Sequence, residues 1–384
     1  MIEPAIVIVA FSRAKSLERL LSSINSAVYP HKRIPLIISI DRCDSNADVL
    51  KVADDFNWQH GRKEVVYQKE TLKLRKHIIQ CADYSERYGA VIILEDDLYV
   101  SPFFYQYACE ALTFSDGKDQ IGGISLYNHR LNVNNIEPHD IMDDSYDNWY
   151  LQFASSWGQA WTKAQWGAFK TWYTVHQDDD LRGDDIPEFV TKWPNSSWLK
   201  YFVKFVIVHN KFFLYPKVSL TTNFSETGTH VIENNTDYQV PLQQMQRDYI
   251  FSDLKDSQCV YDAFFENIKL PDYLDQKDVV IDLYGIKKKA DKRYLLTRRI
   301  CNYRILQSFS RSMRPHEQNI ISGISGKDFF LYDTQIKAKN PNRFHGQGLV
   351  RYCIKSIRKE RFCNISGMMF RQTMNGLKRR LKGK

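Results

Sequence analysis

The sequence predicts an α/β fold with a mainly parallel central sheet and helices on both faces. Three observations carry that expectation. Four short runs rich in β-branched residues recur through the first hundred residues, at 5–11, 35–41, 64–68 and 90–94. Helical patterns separate them, and antiparallel hairpin turns do not. The runs are apolar along their length, as strands covered on both faces require.

Each element follows from its own residues. "AIVIVAF" (5–11) is a buried strand entered directly from Met1-Ile2-Glu3-Pro4. That run is too short for a signal core or a membrane span, and no other segment is long enough, so the chain is not expected to be an integral membrane protein. "SRAKSLERLLSSINSA" (12–27) places Leu17, Leu20, Leu21 and Ile24 at helical spacing. "PLIISID" (35–41) is the second strand, 48–56 a helix and "EVVYQ" (64–68) the third strand. "LRKHIIQCADYSERYG" (74–89) is helical and ends on Gly89, where a C-cap is expected, before "AVIIL" (90–94) makes the fourth strand.

Ligands of such sheets sit outside the carboxyl ends of the strands. Arg13, Asp41 and the triplet Glu95-Asp96-Asp97 all fall at or just after those ends. Three adjacent carboxylates raise one another's pKa unless a cation or hydrogen-bond donors offset the repulsion. A hard divalent ion is the usual offset, and Mg²⁺ in particular is held by one or two carboxylates plus substrate phosphates. The other reading of the triplet alone is a solvated acidic turn.

The 384 residues and 43% apolar content exceed what one average domain needs, so a large domain with an appendage is expected. Seven scattered cysteines without a close pair argue against a disulfide framework or a zinc site and fit a reducing cytoplasm. Charge is uneven. Residues 351–384 carry eleven Lys/Arg against Glu360 alone, a net +10 that leaves residues 1–350 at −2. Cations alternate there with Ile354, Ile357, Phe362, Ile365, Met368, Met369 and Phe370. Such a basic amphipathic tail either lies on an anionic membrane surface or is a solvated terminus. No nucleic-acid motif accompanies the charge, so nucleic acid is not an expected partner. Six of the eight tryptophans (Trp157, Trp161, Trp166, Trp172, Trp193, Trp198) fall within 42 residues. About two are expected to serve a sugar site, since flat aromatic faces suit sugar C–H surfaces, and the others to pack.

"VIILEDDLYVSPFFYQY" resembles the metal- and nucleotide-binding region of GT-A glycosyltransferases, especially the N-acetylglucosaminyltransferase I type and related bacterial capsule and lipopolysaccharide enzymes. "AFSRAKSLERLL", "IISIDRCDSN" and "LKLRKHIIQC" resemble the same families' earlier elements in the same order. "SSWGQAWTKAQW" (155–166) and "SSWLKYFVKFVIVHNKFFLYPKVSLTTNFSETGTH" (196–230) resemble the acceptor half. The resemblance covers about 5–230. It implies a Rossmann-like GT-A domain at 1–235, with a nucleotide-sugar half at 1–127 and an acceptor half at 128–235. An accessory region at 236–350, expected to be mainly helical, and the tail at 351–384 follow.

The resemblance implies transfer of a sugar from a nucleotide diphosphate sugar, a UDP-sugar being favoured, to a hydroxyl of a glycan or lipid-linked acceptor. Mn²⁺ or Mg²⁺ would assist, and the reaction would invert the anomeric centre. Arg13, Asp41, His77, Glu95 and Asp96 would contact the nucleotide or sugar, with Asp97 and His230 at the metal. Related enzymes place an Asp just before the Trp that opens the acceptor-side helix, but this chain reads Asn195-Ser196-Ser197-Trp198. A serine hydroxyl is too weakly basic to serve. The acids at 178–180 and 184–185 are the alternative source, with Asp185 the candidate base, or they form a solvated loop. The missing acid leaves a second reading open, a catalytically inactive carbohydrate-binding or scaffold protein on the same fold. A sugar-nucleotide pyrophosphorylase is disfavoured, since "FSRAKSLERL" lacks a glycine-rich phosphate loop. The expected place is the cytoplasm, peripheral on the inner face of the membrane.

Overall fold

The computed structural model describes residues 1–183, 185–224, 238–288 and 291–340, with six further positions between 366 and 374. The first elements are β1 (Ala5–Ala10), α1 (Ala14–Asn25), β2 (Leu36–Ile40), α2 (Ala47–Asp55), β3 (Lys63–Tyr67), α3 (Lys73–Ala82), α4 (Tyr84–Tyr88) and β4 (Ala90–Glu95). The helix expected over 74–89 is two helices that meet at Asp83. It ends as expected at Gly89, which adopts φ 79°, a left-handed conformation glycine reaches without strain.

The chain continues through β5 (Leu98–Val100), α5 (Phe104–Ser115), β6 (Ile121–Ser125), the hairpin β7 (Leu131–Asn132) and β8 (Glu137–Pro138), and β9 (Asn148–Leu151). Next come β10 (Gln159–Thr162), α6 (Lys163–His176), α7 (Glu188–Thr191), α8 (Leu199–Val208), β11 (Phe212–Pro216), β12 (Thr221–Asn223) and β13 (Val260–Tyr261). The turn from β10 into α6 is fixed by a capping box, in which Thr162 Oγ1 accepts from Gln165 N at 3.2 Å and Gln165 Oε1 accepts from Thr162 N at 3.0 Å.

Nine strands form the central sheet in the order β13-β9-β11-β6-β10-β4-β1-β2-β3. β4, β1, β2 and β3 are parallel throughout, as are β11 with β6 and β13 with β9. Only the pairings of β10 with β4 and β6 and of β9 with β11 are antiparallel, so the sheet is mainly parallel. Alternation along β1 shows why its apolar run is unbroken. Ile6, Ile8 and Ala10 pack with Leu17, Leu20 and Leu21 of α1 and with α5. Ala5, Val7 and Val9 pack on the opposite face, with Ile78 of α3, Trp166 of α6 and Phe202 of α8. The edge strand β13 lies beyond residue 235, so the boundary expected there falls inside this packed unit.

The accessory region departs from expectation. In place of a mainly helical extension it holds a four-stranded sheet, β14 (Val279–Asp282), β15 (Tyr294–Thr297), β16 (Tyr303–Phe309) and β17 (Phe329–Lys337), in the order β14-β15-β17-β16. One short helix, α9 (His316–Ile321), joins it. Strand β15 of this sheet lies between β14 and β17. Its consecutive Leu295, Leu296 and Thr297 are all buried. A helix presents only one stripe to a core, whereas a central strand is covered on both faces. The partner strand β17 lies more than thirty residues downstream, out of reach of any local pattern.

Helix α9 buries the carboxyl of Glu317, and burial pushes it up to about 7. The native state therefore holds a proton that the unfolded chain releases above its ordinary carboxyl pKa, so stability falls as pH rises from about 4.5 to 7. Glu317→Gln is expected to raise unfolding stability by roughly 2 kcal/mol at about pH 8 and very little at about pH 5. Urea denaturation at both values checks this. An equal effect at the two would show that Glu317 is not held protonated.

Candidate active site

β1, β2 and β4 end side by side, and backbone hydrogen bonds hold the loops that follow together. Asp41 N donates to Ala10 O at 3.0 Å, and Asp96 N donates to Val9 O at 3.2 Å. Asn46 Nδ2 ties two of the loops by donating to Phe11 O at 3.2 Å and Asp41 O at 2.7 Å. The parallel order thus brings Arg13, Asp41 and the triplet to one edge from three distant stretches of sequence.

Within the triplet, the cation that offsets the repulsion is a side chain. The Arg13 guanidinium forks across two carboxylates, pairing with Asp96 and, at 3.0 Å, with Asp97 Oδ2. Burial alone would lower the pKa of Arg13, but the two carboxylates outweigh it and raise it. Burial pushes Asp96 up to about 6 against the pull of Arg13. Glu95 is pushed up to about 8, by burial first and then by Asp97 and Asp96. Asp97 Oδ1 is buried and has no hydrogen-bond partner among the described residues. A buried anionic oxygen without a donor is costly, and a divalent cation would satisfy it. No group of three His, Cys, Asp or Glu side chains among the described residues is arranged to hold a metal. The fit is therefore to an ion held by one carboxylate with its remaining positions open to phosphate oxygens and water.

The other expected contacts divide. The Asp41 carboxylate is filled by backbone amides: Oδ1 accepts from Leu72 N at 2.7 Å and Arg42 N at 2.9 Å, and Oδ2 accepts from Lys73 N at 2.9 Å. It holds the loop before α3, where Lys73 takes φ 62°, and does not present a free carboxylate to a base. His77 is only 2% exposed, with Nε2 2.7 Å from Ser39 Oγ. Gln68 Nε2 donates to the same hydroxyl at 3.0 Å, leaving Ser39 to donate to a neutral imidazole. Burial lowers His77 to about 4. The structure makes it a core histidine and not a ligand-facing one. His230 lies outside the described residues. The backbone enters that stretch beside the triplet, since Phe224 N donates to Asp97 O at 3.1 Å.

Asp185 does not reach the edge as a free base. Its Oδ2 lies 2.6 Å from Lys204 Nζ, midway along α8, while the N-terminus of that helix is the end nearest the strand ends. Asp179 and Asp180 likewise have local partners, His176 and Arg182, in an exposed loop. Asp184 lies outside the described residues. Asp185→Asn is expected to change any turnover by less than about twofold, since a surface ion pair contributes under about 1 kcal/mol. A hundredfold fall in steady-state rate would reinstate it as a base.

The tryptophans sort by depth. Trp161, Trp166 and Trp198 are buried in the core on the sheet face covered by α3, α6 and α8, and Trp172 stacks on His176 at 4.5 Å. Trp157 and Trp193 remain and line a cavity of about 160 Å³. Gln159, paired with Ile93 of β4 and Ser125 of β6, is a residue the sequence did not flag. Both polar atoms of its fully buried amide lack a partner among the described residues. An isolated glutamine before "AWT" carries no sequence signal of its own. Gly158 precedes it at φ 92°, and a Cβ there would come within 2.7 Å of Thr221, so only glycine fits that turn.

The chain is 24% identical over 250 residues, 62% of its length, to an α-1,3-mannosyl-glycoprotein 2-β-N-acetylglucosaminyltransferase of Arabidopsis thaliana. The resemblance to that type holds. The aligned stretch spans 50% of the plant protein, so the chain accounts for about half of that relative. No family model matches the chain. Among solved structures, it aligns with mannosyltransferase PcManGT from Pyrobaculum calidifontis in complex with GDP-Man and Mn²⁺ at TM-score 0.31 and 10% identity, covering 49% of this chain and 51% of that one. It also aligns with S. aureus TarS 1–349 in complex with UDP at TM-score 0.36 and 11% identity, covering 57% and 59%. Likeness at these TM-scores is loose and fixes neither site nor substrate.

Proposed function

We propose that the protein is a metal-dependent glycosyltransferase that moves a sugar from a nucleotide diphosphate sugar to a hydroxyl of a glycan or lipid-linked acceptor. The observation that carries the reading is the buried Asp97 Oδ1, without a partner among the described residues and set beside Arg13 at the ligand edge of a mainly parallel sheet. The sequence similarity to an N-acetylglucosaminyltransferase supports it.

In this reading Asp97 holds Mn²⁺ or Mg²⁺, with His230 as a further contact. Such an ion, when bound, supplies Lewis-acid neutralisation of the leaving diphosphate. Arg13 orients the nucleotide from the β1 end, and Asp96 and Glu95 meet the ribose and sugar. Asp41 acts one step back, by shaping the loop at 71–73 that flanks the base. A UDP-sugar is the favoured donor, and a single displacement with inversion the favoured course.

A second reading has an observation of its own. Ser197 stands where the resemblance expects an acid, and Asp185 is engaged by Lys204, which suits a carbohydrate-binding scaffold without turnover. Hydrolysis and transfer from UDP-, GDP- and dTDP-sugars with Mn²⁺ decide between them. Turnover of a donor supports the enzyme. Metal-dependent nucleotide binding without turnover of any donor supports the scaffold.

The basic tail extends the proposal to a peripheral place on an anionic membrane, the cytoplasmic inner face. Its described positions, among them Phe370 and Met374, are exposed, and no helix among the described residues is long and apolar enough to cross a membrane. Each cation near such a surface contributes about 1 kcal/mol. Salt-sensitive sedimentation with phosphatidylserine vesicles should follow, and its absence would remove this part.

A further inference from the structure

The geometry points to the cavity walled by Trp157 and Trp193 as the acceptor subsite, taking one sugar ring by its C–H face with an apolar substituent turned inward. This rests on the glycosyl-transfer reading above and names the substrate class that the reading leaves open.

Position is the first argument. β10 runs antiparallel to β4 with Gln159 opposite Ile93. β10 begins at Gln159, and before the turn at Gly158 the Trp157 carbonyl accepts from Thr221 Oγ1 at 2.5 Å, on β12, the partner of the strand β5 that follows the triplet. Alternation along β4 turns Glu95 to the same side as Val91 and Ile93, the side covered by α3, α6 and α8. Trp157 packs against that side too, so the cavity wall it forms lies close to the strand that leaves the triplet.

Its walls are the second argument. Phe153, Trp157, Trp193, Leu199 and Tyr238 make a largely apolar lining. Trp157 packs against Tyr238 at 4.7 Å, and Phe153 meets Trp193 edge-on at 6.0 Å. A volume of about 160 Å³ matches one six-membered ring. Aromatic faces bind sugar C–H surfaces but give little to a hydroxyl directed at them.

Its one buried side-chain nitrogen or oxygen without a partner among the described residues is the third argument. His129 lines the cavity at 3% exposure, and its Nε2 is buried without a partner among the described residues. Ser155 and Ser156 add hydroxyls, but Ser155 Oγ already accepts from Trp157 N at 3.3 Å, so a hydroxyl driven against the aromatic wall would be left unsatisfied. Turned methyl-first into the cavity, an N-acetyl or 6-deoxy sugar sets a methyl group, and not a hydroxyl, against the aromatic wall, with one polar group for His129 and its other hydroxyls toward the open side.

Tryptophan fluorescence of the full chain, titrated with methyl glycosides of N-acetylglucosamine, rhamnose, glucose and mannose, tests this without nucleotide. The first two are expected to bind about fourfold tighter for each buried methyl, and equal binding of all four overturns the inference. Trp193→Ala and the cavity-filling Leu199→Trp should each weaken glycoside binding and raise the acceptor KM at least tenfold. Their affinity for UDP with Mn²⁺ should stay within twofold. Folded variants with an unchanged acceptor KM overturn the inference, as does a loss confined to UDP-sugar relative to UDP, which would place the donor sugar in the cavity. Failure of the wild type to bind UDP with Mn²⁺ instead sinks the glycosyl-transfer reading, while the glycoside titration still judges the cavity.

Discussion

Asp97→Asn is expected to lower kcat/KM for glycosyl transfer about a thousandfold while leaving the fold intact. A thousandfold loss is about 4 kcal/mol of transition-state stabilisation, the scale of charge neutralisation by a bound divalent ion. The substitution keeps the side chain's shape, and the amide oxygen can still accept from Arg13, which now donates to Asp97 Oδ2 at 3.0 Å. The other oxygen has no partner among the described residues, so little native structure depends on it. Thermal unfolding should shift by only a few degrees. A large loss of stability together with activity would instead make Asp97 a structural residue.

Arg13→Ala is expected to cost stability as well as nucleotide affinity. It strips the cation from Asp96, whose side chain is 3% exposed and has Glu95 and Asp97 as neighbours. Removing one partner of a buried pair typically costs 3–5 kcal/mol. Arg13 is 27% exposed, so solvent screening places the expectation lower, at about 2–3 kcal/mol. The sign with pH follows from Asp96, which already titrates near 6 and would rise further without Arg13. The loss should be largest above about pH 7 and should shrink toward pH 5, where the carboxyl takes up a proton. Adding Asp96→Asn should recover most of the stability and none of the nucleotide affinity. A pH-independent loss without rescue would assign the contribution of Arg13 to packing.

What the sequence reveals follows from the range of the interactions. β1 to β4 were legible because both faces of each strand are covered, which writes an apolar run into consecutive residues. Gly89 was legible because its cap conformation is local. β15 was not, because its partner β17 is distant and its Leu-Leu pair fits a helix as well as a strand. The ligand edge was legible in outline, since strand ends can be counted. The states of its residues were not: Asp41 is consumed by amides from residues 72 and 73, and His77 by Ser39 and its neighbour Gln68. The pairing of Asp185 was hidden for the same reason, because Lys204 lies nineteen residues away on another element. Gln159 and His129 are ordinary residues until burial leaves the Gln159 amide and His129 Nε2 without partners among the described residues.

The most direct measurement of the central claim is calorimetric titration of UDP into the wild-type chain with Mn²⁺ and again with a chelator. The account predicts binding that requires the metal, because Asp97 Oδ1 and the diphosphate would share it. UDP binding of equal strength in the chelator would contradict the metal site, and no binding in either condition would contradict the nucleotide site itself.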